Sequence, residues 1–252
     1  MKIFVASTGR CGTKFMTWVF RNYTNVPSFH EPYPKLTGKE SEEINAGRIS
    51  PETRQEITKK FDFIEAQSKA GFYFESSNMF IKSFWKLAME RWPEDVGIIY
   101  IRRDLANYLI SFTRRGKRGK KGRFHSVFLL RPEAEGNLMP GPEGMSFYET
   151  VAWNYYEVMA RYLKARETAV RFFEMEFSEI NNIQTWRNLF RTFGIEHTLP
   201  NNFPETPDRH QSIFDTKTKL LCLEHLKQNW PEPRTIVDSE TMAQLKGDQD
   251  EL

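Results

Sequence analysis

Between residues 8 and 14 the chain reads Thr8-Gly9-Arg10-Cys11-Gly12-Thr13-Lys14, a turn punctuated by two glycines and set between two different patterns. Before it, Lys2-Ile3-Phe4-Val5-Ala6 is β-branched and aromatic with no breaker, as in a strand. After it, Phe15-Met16-Thr17-Trp18-Val19-Phe20 carries bulky residues at helical spacing. A strand feeding a glycine-rich turn and then a helix N-terminus makes an anion site, because free backbone N–H groups and the helix dipole converge on one spot. The spacing is not that of a Walker A loop, which needs four residues between its glycines and then Gly-Lys-Ser/Thr. Here only Arg10 and Cys11 separate Gly9 from Gly12, and Phe15 follows Lys14. Taken alone, such a turn can equally do no more than reverse the chain.

A second segment strengthens the anion reading. Gly97-Ile98-Ile99-Tyr100-Ile101 is a short all-apolar run of the kind expected for a buried parallel strand. It ends in Arg102-Arg103-Asp104, and a helical pattern follows from Leu105 to Phe112. An arginine at the carboxyl end of a parallel strand sits where α/β folds bind ligands. Ser111 lies eight positions after Arg103, roughly 12 Å along a helix. A guanidinium fork and a hydroxyl both suit a phosphate. In isolation the pair reads equally well as a surface ion pair with Asp104 and a helix serine with no task.

Together the two segments resemble the sulfotransferase family, whose members use 3′-phosphoadenosine-5′-phosphosulfate as donor. In that family an N-terminal strand leads into (Lys/Arg)-x-Gly-Thr, which wraps the 5′-phosphosulfate, and Arg10-Cys11-Gly12-Thr13 matches it. A later strand ends in Arg with Ser eight residues on, and these bind the donor's 3′-phosphate; Arg103 and Ser111 match in identity and spacing. The resemblance covers residues 1–195 loosely and the two motifs closely, and is greatest to bacterial and Golgi-type members. It implies Gly9, Arg10, Cys11, Gly12, Thr13, Lys14, Arg103 and Ser111 as donor-binding residues, with Arg10 also stabilising charge on the leaving phosphate. Lys14 departs from the family, where a second Thr or Ser is common. It either adds a cation near the 5′-phosphate or points to solvent.

Sulfuryl transfer moves an SO3 group that bears less charge than a phosphoryl group, so fixed cations and backbone dipoles can replace a metal; no metal is expected. An acceptor hydroxyl needs a base. His30-Glu31-Pro32-Tyr33-Pro34 follows a second strand expected at 26–29, and its prolines keep it extended beside Arg10. The resemblance favours Glu31 as that base, with His30 as the alternative. A packing histidine and a solvated glutamate are the plain reading of the same pair.

Strands are expected at 2–6, 26–29, 71–75, 97–102 and 169–174, with helical patterns between them. Such alternation predicts an α/β fold of three layers, a central parallel sheet with helices on both faces. The resemblance makes this the P-loop NTPase-like fold of sulfotransferases, in one domain over 1–252. Ser50-Pro51-Glu52 reads as a helix start. Ser76-Ser77-Asn78 reads better as a helix cap than as site lining, and Glu75 is a further candidate to line the site. Trp153, Tyr155 and Tyr156 read as core, with one ring free to stack on adenine instead. Cys11, at a helix N-terminus, is either acidified or a small filler. Arg209, His210 and Lys217 are possible substitutes for the family's C-terminal phosphate loop.

Aromatic content of 14%, including 21 Phe, supports a packed core. No apolar run reaches the ~18 residues of a membrane span, no leader pattern opens the sequence, and only two cysteines, Cys11 and Cys222, argue against a disulfide framework. A cytoplasmic location is expected. Residues 114–123 pack seven cations among glycines, and 114–145 is expected to be a mobile basic lid over donor or acceptor, or else a solvated loop. The same run suits a polyanion or RNA, but at a net charge of only +3 the chain lacks the overall basicity of a dedicated nucleic-acid binder, and nucleic acid is not the expected partner. The rival functions are therefore a P-loop nucleotide kinase and a non-enzymatic polyanion- or RNA-binding protein. The favoured partners are the donor and an acceptor bearing a hydroxyl or amine. The acceptor's identity is not written in the chain.

Overall fold

In a computed structural model that describes residues 1–118, 129–139, 141, 144–145 and 147–203, alternation of strand and helix becomes a single parallel sheet. Its strands are β1 (Lys2–Ser7), β2 (Ser28–Phe29), β3 (Tyr73–Glu75), β4 (Val96–Arg102) and β5 (Arg171–Glu176), in the order β2-β3-β1-β4-β5. The helices are α1 (Thr13–Tyr23), α2 (Lys39–Ala46), α3 (Pro51–Gln67), α4 (Trp85–Arg91), α5 (Leu105–Arg118), α6 (Phe147–Arg166) and α7 (Ile183–Phe193). The expected strands all form. β2 is shorter than 26–29 because Pro27 has no N–H to give the ladder. β5 begins later than 169 because Ala169 N–H closes the end of α6 on Ala165.

Strand alternation sorts the core into two layers. Ile3, Val5, Ile99 and Ile101 face α1 and α7, meeting Phe20, Trp186 and Phe190. Phe4, Ala6, Ile98 and Tyr100 face the other way, against α2 to α6. A sheet buried on both faces needs apolar residues at successive positions, which is why β1 and β4 read as unbroken runs. Each fully buried Ile or Phe contributes about 1.5–3 kcal/mol. Lys60 and Glu75 are both 1% exposed and pair at 2.8 Å, tying α3 to β3. Tyr73 donates to the other Glu75 oxygen at 2.6 Å. Glu75 is therefore a core residue, and its expected place lining the site is not where the fold puts it.

The chain runs from β1 outward to β2, back through β3, and across β1 to β4. The crevice between the carboxyl ends of β1 and β4 is thus the point where winding direction reverses, the usual ligand position in such sheets. Both sequence motifs open onto it. The basic run is less of a loop than expected, since α5 continues helically to Arg118. Residues 119–128, the centre of the expected lid, lie outside the described residues. Residues 129–139 are tied down: Leu138 and Met139 N–H groups donate to Glu157 at 3.0 and 2.8 Å.

Candidate active site

The turn after β1 is built from left-handed backbone. Gly9, Arg10 and Gly12 have φ of 89°, 61° and 73°, which glycine adopts freely and arginine at a cost of about 1–3 kcal/mol. Gly12 has a second reason to lack a side chain, because a Cβ there would lie 2.3 Å from Ile180 Cδ1. A Cβ on Gly9 would lie 2.8 Å from Asn78 Nδ2. α1 starts at once after Gly12, with no side-chain cap and no acidic residue in its first turn. Its first N–H groups and dipole therefore face the crevice without a competing carboxylate.

The two motifs meet directly. Arg10 Nε donates to Ser111 Oγ at 3.0 Å, and Arg103 Nη1 donates to the Arg10 carbonyl. The Arg103 guanidinium lies 4.5 Å from the centre of the Phe177 ring, and its Nε is buried with no partner among the described residues. Burial lowers its pKa, opposed by Cys11 and Asp104, without threatening its charge. Asp104 Oδ1 accepts the Asn107 N–H at 2.9 Å and so caps α5 rather than facing a ligand.

His30 and Glu31 sit at the end of β2. His30 Nδ1 lies 2.9 Å from the Ser76 carbonyl. That oxygen has no hydrogen to give, so Nδ1 carries the proton and Nε2 is the free base of the neutral ring. Ser76 Oγ is 2.5 Å from Thr17 Oγ1 of α1, which fixes β2, β3 and α1 to one another beneath the site. Glu31 Oε1 is 4.0 Å from His30 Nε2, and its other oxygen accepts from Lys35 at 3.1 Å. Burial pushes the His30 pKa below the ordinary histidine value, against the opposing pull of Glu31 and the Ser76 carbonyl. Glu31 has a left-handed φ of 47°.

Other expectations resolve differently. Cys11 is fully buried, donates to the Gly9 carbonyl at 3.1 Å, and has its pKa raised by burial. It is a filler and not an acidified thiol, because desolvation outweighs the cations nearby. Lys14 is exposed. Of Ser76-Ser77-Asn78 only Ser77 acts as a cap, accepting the Met79 N–H at 3.2 Å. Asn78 lies over Gly9 with Oδ1 buried and without a partner among the described residues. Trp153 and Tyr155 are buried core residues. Arg209, His210 and Lys217 lie outside the described residues. Among the described residues no group of three potential metal ligands is found, and no helix is long and apolar enough to cross a membrane.

Sequence reasoning overlooked two contributors to the crevice, Phe177 and Lys82, whose Nζ donates to the Thr8 carbonyl at 2.9 Å, and it ranked Asn78 as a helix cap ahead of the site-lining place it takes over Gly9. The signal for Lys82 was present, a single cation inside Met79-Phe80-Ile81-Lys82-Ser83-Phe84-Trp85. Nothing local marked Phe177.

The chain is similar in fold to the sulfotransferase domain from the curacin biosynthetic pathway, with a TM-score of 0.51 at 12% identity over 97% of this chain and 96% of that one. Weaker similarity extends to a sulfotransferase from Alicyclobacillus acidocaldarius (TM-score 0.46, 16% identity, 92% of this chain and 97% of that one). It extends also to the sulfotransferase domain of the Synechococcus PCC 7002 olefin synthase (TM-score 0.48, 10% identity, 92% and 95%). No protein-family model matches the chain, and no curated protein matches its sequence.

Proposed function

We propose that this chain, folded as sulfotransferases are, transfers a sulfuryl group from 3′-phosphoadenosine-5′-phosphosulfate to a hydroxyl or amine of an acceptor. The observation that carries the reading is the direct junction of Arg10, Arg103 and Ser111 at the β1/β4 crevice, beside an α1 N-terminus free of carboxylates. The residues fit a doubly phosphorylated adenosine: the buried Arg103 Nε lacks a partner among the described residues, and Gly12 leaves the backbone bare at the helix start. The donor supplies the sulfuryl group and a phosphate leaving group. In this reading Gly12, Thr13 and the first N–H groups of α1 hold the phosphosulfate end. Arg103 and Ser111 hold the 3′-phosphate, and Arg10 stabilises charge on the departing oxygen.

For the base, the geometry favours His30 over Glu31. His30 Nε2 is left as proton acceptor by the bond from Nδ1 to Ser76, and burial keeps the ring neutral near pH 7. Glu31 stands 4.0 Å away, where its charge favours the imidazolium once formed. The proton of the acceptor then passes to His30 Nε2 as the S–O bond forms.

A kinase reading has no support from Asp104, which is spent as a cap. Thermal melting of the full chain separates the possibilities, because a ligand at about 100 times its Kd stabilises by about 2.7 kcal/mol. We expect a rise with 3′-phosphoadenosine-5′-phosphate and none with ATP and Mg²⁺. A rise with ATP and Mg²⁺ alone favours a kinase, and one with heparin or oligonucleotide alone favours a polyanion binder. Acceptors are then screened with labelled donor.

A further inference from the structure

Lys82 is 1% exposed in the helical turn that follows β3. An ammonium buried to this degree costs several kcal/mol unless its surroundings compensate. Its mounting is unusual. The turn Phe80–Phe84 is π-helical, and the Lys82 carbonyl accepts from Asn45 Nδ2 and Arg161 Nη1, both at 2.9 Å, and from Ser41 Oγ at 3.3 Å. Arg161 is itself 1% exposed and bonded to Glu157 at 2.5 Å. Glu157 in turn holds the N–H groups of Leu138 and Met139. A polar frame from α2, α6 and residues 137–139 thus fixes the lysine backbone, and its side chain ends on the Thr8 carbonyl at 2.9 Å.

We propose that Lys82 is a positioning residue for the donor loop: its ammonium holds the Thr8–Gly9 peptide from behind and, when protonated, places a positive charge beneath the anion site. This rests on the sulfotransferase reading of that loop. Because the peptide is planar, anchoring Thr8 O sets the plane from which Gly9 and Arg10 enter left-handed conformations. An apolar residue of similar volume would avoid burying a charge but would leave the Thr8 carbonyl without this bond, so affinity and proton linkage, rather than stability, distinguish a role at the anion site. A unit charge acting on a phosphate over roughly 10 Å, at an effective dielectric of about 20, is worth on the order of tenfold in affinity.

The charge of Lys82 is also adjustable. Burial lowers its pKa to about 7, Cys11 and Glu31 act to raise it, and Arg161 acts to lower it. Arg161 is paired with Glu157, while Glu42 of α2, which lines the same small cavity, is paired with Arg131. An arriving polyanion raises the lysine pKa, so binding just above neutrality draws in a proton.

Calorimetric titration of 3′-phosphoadenosine-5′-phosphate into the full chain, at about pH 7.5 in buffers of different ionisation enthalpy, reads affinity and proton uptake together. The wild-type chain should take up a fraction of a proton. Lys82→Met should bind on the order of tenfold more weakly with most of that uptake gone; a purely structural lysine would leave both affinity and proton linkage alone, whatever the change in melting temperature that follows from losing the bond to Thr8. His30→Gln removes the other group titrating nearby and should retain the uptake, which keeps the test decisive should Lys82→Met fail to fold. Wild-type affinity and uptake in Lys82→Met, or loss of uptake in His30→Gln, overturns the role of Lys82 alone. Absence of binding by the wild-type chain overturns the donor reading and this proposal with it.

Discussion

Gly12 illustrates how much a single residue can carry. Its φ of 73° and the 2.3 Å approach of Ile180 to a would-be Cβ act independently. Gly12→Ala should therefore destabilise by about 2 kcal/mol or more, read as a lower melting temperature together with weakened donor binding. Cys11, one residue earlier, should resist alkylation at about pH 8 in the folded chain and react in denaturant, as peptide mapping would record, because burial raises its pKa. For the proposed base, His30→Gln should lower kcat/KM by on the order of 10²–10⁴, with Glu31→Gln costing less. In the wild-type chain activity should rise with pH through an apparent pKa below the ordinary 6.5, since burial favours the neutral ring and only that form accepts a proton. A larger loss in Glu31→Gln than in His30→Gln would return the base to Glu31. Arg10, Gly12, Arg103 and Ser111 were legible as candidates because residue type and spacing mark them. The preference proposed for His30 over Glu31 was not, since it rests on a bond to the Ser76 carbonyl, 46 positions away.

Elements form where local signals agree. Ser50 caps α3, its Oγ accepting the Thr53 N–H at 3.3 Å with Pro51 at the first helical position. Ser50→Ala should cost about 1 kcal/mol in denaturant unfolding while leaving donor affinity unchanged. Glu43 of α2 accepts from Ser50 Oγ at 2.6 Å, and the bonds from Ser50 and Thr53 lower its pKa to about 2 from the ordinary 4.5. A depressed carboxyl pKa stabilises above the unfolded value, so this contribution is lost as pH falls from about 4.5 toward 2. Glu43→Gln should flatten the stability profile over that window. The stretch expected as a lid at 114–145 begins inside α5, which continues to Arg118, since glycine costs only ~1 kcal/mol inside a helix. Ser76-Ser77-Asn78 looked like a cap because small polar residues before a helix usually are. Two of its three side chains were drawn instead to Thr17, His30 and Gly9.

At the scale of the whole molecule, the sheet order sets β1 beside β4 although β2 and β3 intervene in the chain. If one ligand spans that crevice, hydrogen exchange should slow together at residues 8–14 and 103–111 when 3′-phosphoadenosine-5′-phosphate is added. The outer edge at β5, where Phe172 is 44% exposed, should not respond. Protection confined to one of the two segments would mean that they do not share a ligand. Element order, the parallel α/β class and the placing of both motifs at strand ends were determined by the sequence, because strand period, helix period and glycine turns are encoded among adjacent residues. Which side chains meet was decided only by the tertiary structure. Arg10 reaches Ser111 across 101 positions and Lys82 reaches Thr8 across 74, and contacts at such separations follow from how helices pack on a sheet, for which no local pattern carries the address.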